Sequence, residues 1–403
     1  MSVVPRSLFF TSPSQRTAFA RQTYFEDGHL PSGMVGGAIL ESWARCCRLQ
    51  LNPAASLDFR CASLSRIQLA LQRNQALLDA WNTEHPHLER TLAGTACSAI
   101  LTDASGLLIA TTGHGNAQAV IIPQAHRIGV HLSEECAGTT APGLVLKTGK
   151  VATVLGGEHF FASVMPMHCT AAPIYNTRGQ LAGVLNISSE GHPFAFDMNA
   201  LVALYATAVE NRLLCAQSLE HWVVRLQVNP VWLDTPMAGM AGVDGQGKVV
   251  WMNPTAASLL GYNRTTLAHH PPEVEAVFGH TLSILMGLPR QTAIAIKLPN
   301  GLSVWVRGTL QVADGIDQQR LSHPTTVMAE ATAHPTQTPE SAIAPAPPPL
   351  APPTASLRES EHDLVRHTVQ AFGGNISKAA QQLGVSRGLI YRRMKATPQR
   401  RSD

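Results

Sequence analysis

The sequence predicts a mixed α+β chain that ends in a separate all-α unit, and three observations predict it. Amphipathic helical stripes bracket the first half of the chain. Between and after them come short apolar runs divided by Asp-, Asn- and Gly-containing turns, which read as antiparallel hairpins. A proline-rich run then precedes a last stretch whose apolar spacing is helical throughout. Strands bracketed by helices, without strict alternation, fit an α+β order.

Composition bounds the function classes. The 403 residues suffice for two to four domains. Apolar residues make up 45 %, enough for ordinary cores, while the 14 % of charged residues is low, with Ala, Pro and small polar residues in their place. The net charge of +3 says little, but its distribution says more: Arg387, Arg392, Arg393, Lys395, Arg400 and Arg401 cluster with no acid among them. The seven cysteines are odd in number and form no CxxC, which argues against a disulfide framework or a zinc finger. The first twenty residues lack an unbroken apolar core, and no stretch of about 18 apolar residues occurs, so no signal peptide or membrane span is read. A reduced, cytoplasmic protein is expected.

Along the chain, residues 1–34 read as a flexible leader. Residues 36–49 read as a helix with Ile39, Leu40, Trp43 and Cys47 on one stripe, residues 64–78 as another, and Pro86 as the entry to a long one. Residues 97–102 and 107–112, joined by Asp103-Ala-Ser-Gly106, form a hairpin signal. Strand-like runs follow at 151–155, 160–167, 170–174 and 181–187, the last two split by Asn176-Thr-Arg-Gly179, and residues 197–218 close the set as a helix. A second, smaller unit of about 85 residues holds a hairpin over 240–252 turned by Asp244-Gly-Gln-Gly247. It continues with a helix opened by Asn253 and ended by Gly261, and with strands at 293–298 and 303–309 joined by Pro299-Asn-Gly301. Residues 314–355 form an Ala/Pro-rich linker, with Pro-Ala-Pro-Pro-Pro-Leu-Ala-Pro-Pro favouring extended geometry.

The last unit, residues 356–397, has helix-turn-helix logic. Ser360 caps a helix that Gly373-Gly374 stops. Asn375 caps a second helix with Ile376, Ala379, Ala380 and Leu383 at i, i+3, i+4, i+7, and Gly384 makes the turn. Ser386 caps a third helix whose outer face is Arg387, Gly388, Tyr391, Arg392 and Lys395. Such a helix reaches base edges with its N-terminal end and phosphates with its flank, which makes double-stranded DNA the expected partner.

The stretch from Gly374 to Lys395 resembles the Fis-type helix-turn-helix that ends bacterial enhancer-binding proteins. The resemblance implies that Ser386 and Arg387 touch bases and that Arg392, Arg393 and Lys395 grip the backbone; Leu389 stands where that family often has Thr. Residues 35–218 resemble the GAF region of acetoin-catabolism-type regulators. The stretches that carry this are Ile39-Leu-Glu-Ser-Trp-Ala-Arg-Cys46, Leu132-Ser-Glu-Glu-Cys-Ala-Gly-Thr-Thr140, Gly157-Glu-His-Phe160 and Cys169-Thr-Ala-Ala-Pro-Ile174. Thr140-Ala-Pro-Gly143 departs from that family's usual Asn-Ala-Ile-Gly, which implies an altered ligand loop. Residues 228–312 resemble a PAS domain through Asp244-Gly-Gln-Gly247 and residues 253–261. A GAF-like α/β sensor domain, a PAS-like α+β domain, the proline-rich linker and the all-α helix-turn-helix unit are therefore expected in order, with a small-molecule effector and a homodimer as what these folds imply.

Enhancer-binding proteins of this build normally carry an AAA+ ATPase between sensor and tail, and here only the linker stands there. The nearest approach to a phosphate-binding loop, residues 143–151, is one residue too long and has Val151 in place of the hydroxyl. No Gly-x-Ser-x-Gly, His-Glu-x-x-His or dinucleotide fingerprint occurs, so no enzyme and no cofactor is expected. Glu158, His159, His168 and Cys169 carry ligand-type side chains close together, yet on alternating strands they need not converge, and no metal site is assigned. A redox pair of Cys136 with Cys169 and haem ligation by His269-His270 are the other sets, each more simply read as packed or surface residues. Asn186-Ile-Ser188 and Asn375-Ile-Ser377 are glycosylation sequons in form only, for a cytoplasmic chain. The expected function is effector-responsive, sequence-specific DNA binding. The alternatives are a co-regulator acting through a full-length paralogue and a thiol-based sensor enzyme.

Overall fold

Turn chemistry sets the hairpins of both sheets. The Asp103 carboxylate accepts from the amides of Ser105 (2.8 Å) and Leu107 (3.0 Å), and the Asp244 carboxylate accepts from those of Gln246 and Lys248 (both 2.9 Å). Asn176 does the same for Arg178 and Gln180. A side-chain oxygen that takes over backbone donors is why Asp and Asn sit at these turns. The computed structural model describes residues 12–113, 118–287, 292–311, 368–370, 375, 376 and 378. The chain divides into two units, residues 1–325 and 326–403.

The first unit begins with α1 (Pro13–Arg21), α2 (Gly37–Arg48), α3 (Leu64–Arg73) and α4 (Gln75–Leu92). Strands β1 (Cys97–Asp103) and β2 (Leu108–Thr111) form the first hairpin. Three short helices follow, α5 (Ile122–Ala125), α6 (Glu134–Ala137) and α7 (Ala141–Thr148). Then come β3 (Ala152–Leu155), β4 (Met167–Tyr175), β5 (Leu181–Glu190) and the long α8 (Met198–Ala216). The five strands make one antiparallel sheet in the order β2-β1-β5-β4-β3.

Both faces of this sheet are covered, so its strands alternate between two cores. Leu101, Leu185, Ile187, Ala172 and Ile174 meet α4 and α8 on one face. Ile100, Val184, Cys169 and Ala171 meet α2, the short helices and the loops on the other.

A second sheet consists of β6 (Trp222–Gln227), β7 (Gly239–Val243), β8 (Val249–Met252), β9 (Ile294–Lys297) and β10 (Ser303–Leu310), with α9 (Pro254–Leu260), α10 (Arg264–His269), α11 (Val274–Phe278) and α12 (Leu282–Met286) between β8 and β9. It is again antiparallel, in the order β8-β7-β6-β10-β9. Asn253 caps α9 by accepting from Ala256 N at 2.8 Å, and Gly261 ends it at φ +77°.

Helix α8 serves both sheets. Val202, Ala206, Val209 and Leu213 face the first. Leu214 packs with Val223, Met240 and Trp251 of the second. Asn211 Oδ1 accepts from Asn253 Nδ2 at 2.8 Å, and the buried Glu210 pairs with Arg264 at 2.7 Å. Glu210 also accepts from Tyr175 N at 2.8 Å, so one carboxylate joins β4, α8 and α10.

Several readings differ from the structure, among them the single helix read over 64–78, which breaks at Asn74 between α3 and α4. The leader is helical from Pro13: Ser12 caps α1, Ala20 is fully buried, and the Tyr24 and Phe25 rings lie 5.4 and 4.9 Å from that of Trp43. The buried stripe of α2 is Ile39, Ser42, Trp43 and Cys46, while Cys47 is exposed; the polar Ser42 disguises the true i, i+3, i+4, i+7 set. Pro86 lies inside α4 rather than opening a helix. The run read as a strand over 160–167 enters one only at Met167, the first residue of β4: Phe160 and Val164 are apolar because they plug the core from a loop with a single 3₁₀ turn, Ala162–Val164. Residues 219–227, left between two domains, contain β6, the central strand of the second sheet.

In the second unit, residues 368–370 are helical, and Lys378 N donates to Asn375 Oδ1 at 3.2 Å. That contact is the N-cap expected at Asn375.

Candidate functional site

The inner face of the first sheet and the loops above it form a half-open cavity of about 40 Å³. The strands supply Ile100, Cys169, Asn186 and Ser188, and the other wall is α5, the start of α7 and the loop around His159. Asn186 and Ser188 stand two apart on β5, so both point to this face.

Each polar group of the cavity is held in place. Asn186 Nδ2 donates to Ser188 Oγ at 2.8 Å, and Ser188 Oγ donates to Cys169 Sγ at 3.3 Å. His126 Nδ1 lies 3.0 Å from Ser98 Oγ. Thr140 Oγ1 donates to Leu132 O at 3.2 Å and caps α7 by accepting from Gly143 N at 3.1 Å. Thr140-Ala-Pro-Gly143 is thus a helix start with Thr as cap and Pro142 in its first turn, and both residues line the cavity.

His159 is the most constrained. Its ring Nδ1 lies 3.0 Å from Gly156 O, and burial lowers its pKa to about 4. Arg21 of α1 reaches across to this loop and donates to the carbonyls of Gly157 (2.9 Å), His159 and Phe160 (3.0 Å). Its guanidinium also lies 4.9 Å from the Phe25 ring centre. Gly138, at φ +66°, lets the chain pass where a Cβ would meet Phe160 and Phe161.

Burial raises the Cys169 pKa to about 12, so the thiol stays protonated. Two of the lining residues each have a buried side-chain atom without a hydrogen-bond partner, His159 Nε2 and Asn186 Oδ1.

Behind the cavity, two stretches of the expected sensor pattern meet. Arg45 donates to both Glu134 oxygens, at 2.6 and 2.7 Å, and Ser42 Oγ donates to Glu134 Oε1 at 2.6 Å. With its proton so used, Ser42 accepts from Thr139 at 2.7 Å. This fork ties α2 to α6 and closes the wall that carries Thr140.

Of the residues singled out in the sequence, His159 and Cys169 reach the cavity and Glu158 and His168 do not line it. Among the described residues no group of three or more His, Cys, Asp or Glu is placed to hold a metal ion. Cys136 is exposed while Cys169 is buried, and both are free thiols. His269 and His270 are both exposed. Asn186 and Ser188, read only as a sequon, and His126, which Ser98 holds from outside the cavity, are site residues the sequence did not announce. Their one signal is a polar pair at i, i+2 inside the apolar strand Val184–Ile187 and beyond. Ser386, Arg387, Tyr391, Arg392, Arg393 and Lys395 lie outside the described residues. No helix among the described residues is long and apolar enough to cross a membrane.

A mixed α+β front unit with a walled cavity, joined to a helix-turn-helix sequence, has the build of a bacterial transcription regulator. Residues 356–396 match the family model described as bacterial regulatory protein, Fis family, and residues 12–193 match that described as MimR, N-terminal domain. The chain therefore carries a Fis-type helix-turn-helix at its C-terminal end and a MimR-like domain that takes in α1 at the other. The acetoin catabolism regulatory protein of Cupriavidus necator is 31 % identical over 231 residues, 55 % of this chain and 34 % of that protein. The propane 2-monooxygenase operon transcriptional activator MimR of Mycolicibacterium goodii is 24 % identical over 306 residues, 72 % of this chain and 48 % of that protein. Among solved structures, the Escherichia coli DhaR(N)–DhaL complex aligns with 67 % of this chain and 98 % of its own at 17 % identity and a TM-score of 0.42. The chain spans between a third and a half of the length of these curated relatives.

Proposed function

We propose that the protein is a sequence-specific DNA-binding transcription regulator whose front half, GAF-like to about residue 218 and PAS-like beyond it, responds to a small-molecule effector. The observation that carries this is the pairing of a Fis-type match over residues 356–396 with a small cavity in the front half, two of whose lining residues, His159 and Asn186, each have a buried polar atom without a partner. The protein acts by binding and not by catalysis. The sequence between the two parts is too short for an ATPase and supports action through operator occupancy, with a homodimer presenting two recognition helices to half-sites one helical turn apart, roughly 34 Å.

The same two relatives support the assignment, since both are regulators by name. The test is a gel shift and footprint of the full chain on DNA upstream of its own gene, at moderate salt. A protected, symmetric site supports the reading. Binding that is equal on unrelated DNA, or none, sinks it.

A further inference from the structure

Most contacts between the two sheets start from α8, but one starts from the end of β4 and brings in α7. Tyr175, the last residue of β4, stands where the register against β5 shifts. Such irregularities re-aim a side chain. The Tyr175 hydroxyl donates to Gly149 O at 2.7 Å, and burial raises its pKa, so it keeps the proton it donates. Gly149 ends α7 in the left-handed conformation, φ +64°, and a Cβ there would meet the same hydroxyl. The Tyr175 amide donates to Glu210 Oε2 at 2.8 Å, while Arg264, the first residue of α10, donates to Glu210 Oε1 at 2.7 Å. The Arg264 guanidinium also lies over the Tyr175 ring, 5.0 Å from its centre. Tyr175 therefore holds α7 by its hydroxyl, and α10 by its ring and, through Glu210, by its amide. Each helix is anchored in turn. The start of α7 carries Thr140 and Pro142 of the cavity wall, about 12 Å of helix from Gly149. Leu267 of α10 is buried in the core of the second sheet.

We infer that Tyr175 is a coupling residue: a change in the position or order of α7 reaches α10 through its hydroxyl and ring. The route is a chain of hydrogen-bonded and packed groups, not proximity alone. It explains the residue type, since Phe would keep the face for Arg264 and lose the hold on α7, and Ser or Thr would lose the face. Coupling is reciprocal, so loosening of α10 reaches α7 by the same contacts. It is a property of the front half by itself and is read without DNA or effector.

The test is hydrogen exchange of the full chain, read by mass spectrometry on peptides covering 144–149 and 264–270. Tyr175→Phe removes only the hydroxyl and is expected to speed exchange about fivefold in both, although the lost bond touches only the first. Tyr205→Phe is the matched control. Its hydroxyl makes a 2.7 Å bond with Thr91 from α8, the helix that carries Glu210, and lies outside this route. It is expected to leave 264–270 unchanged. Arg264→Lys keeps a charge beside Glu210 and gives up the flat stacking face. It is expected to speed exchange in 144–149 in the unaltered chain and to add nothing there in Tyr175→Phe. Should Tyr175→Phe not fold, the effect of Arg264→Lys on 144–149 decides alone. The inference is overturned by an unchanged 264–270 in Tyr175→Phe, by an equal change there in Tyr205→Phe, or by a 144–149 that ignores Arg264→Lys. A chain that footprints DNA but lacks the coupling overturns this inference only; a coupled chain with no footprint overturns the regulatory reading only.

Discussion

Arg21 donates to the backbone carbonyl of His159 and to those of Gly157 and Phe160 beside it, so the first helix of the chain holds the cavity's histidine from behind. Three charge-assisted contacts converge on one loop that has little regular structure of its own. Arg21→Met, which keeps the stem and removes the donors, is expected to lower stability by about 2–4 kcal/mol, read as a shift of the urea midpoint. Arg21→Lys recovers only part of this, because one ammonium cannot span three carbonyls arranged for a planar fork.

His159 also makes stability depend on pH. Its pKa is lowered from 6.5 to about 4, chiefly by burial, with the charges of His168 and Arg21 acting in the same direction. Between pH 6.5 and about 4 the unfolded chain takes up a proton at this ring and the folded chain does not. Stability is thus complete above 6.5 and falls as the pH drops through that window, by about 3 kcal/mol for this group. Urea titrations across pH 4–7 should show a shallower slope in His159→Gln than in the unaltered protein. Identical slopes would mean that the ring is solvated.

Glu210 and Arg264 form the ionic joint between the two sheets. Burial raises the Glu210 pKa against the opposing pull of Arg264, so the carboxylate depends on its partner to remain charged. Arg264→Met is expected to cost about 3–5 kcal/mol, because it strands a buried carboxylate. Adding Glu210→Gln should restore most of the loss. A double-mutant cycle measures this, and strict additivity would show that the two groups do not interact.

Thiol reactivity separates surface from core. Cys47, Cys61 and Cys136 are exposed, whereas Cys46, Cys97 and Cys169 are buried, with Cys46 raised to about 11 and Cys169 to about 12 by burial. A chromogenic disulfide reagent at pH 8 should label the exposed three quickly and the buried three only in denaturant. Rapid native labelling of Cys169 would instead favour a thiol-based sensor.

In the DNA-binding segment, Arg387→Ala is expected to relax base preference at one position by about 1–3 kcal/mol, while Arg393→Ala weakens all sequences alike and lowers the salt slope by about one. Competition gel shifts over a range of salt distinguish the two effects.

The parts of this fold that were legible in the sequence are those set locally. Asp103, Asn176 and Asp244 announce hairpins because each satisfies backbone amides within four residues. Asn253 and Asn375 announce helix starts for the same reason. What was hidden depends on distant partners. Nothing near Arg21 shows that its donors end on residues 157–160. Asn186 and Ser188 look like a surface sequon until the second face of β5 is seen to be covered. Trp222–Gln227 is a single apolar run beside a helix end, and only its pairing with β7 and β10 makes it the centre of a sheet. The cavity was half legible, through His159 and Cys169, since chemistry-bearing side chains draw notice wherever they fall.

The double allegiance of α8 bears on how such proteins can be recombined. One surface of this helix belongs to the first sheet, while Asn211, Glu210 and Leu214 belong to the second. A front half grafted from a relative by splicing after α8 would bring foreign side chains to meet Asn253, Arg264 and Trp251. Exchange of effector specificity between such regulators should therefore succeed when both sheets travel as one cassette, with the crossover placed beyond β10, and fail when the seam falls between them.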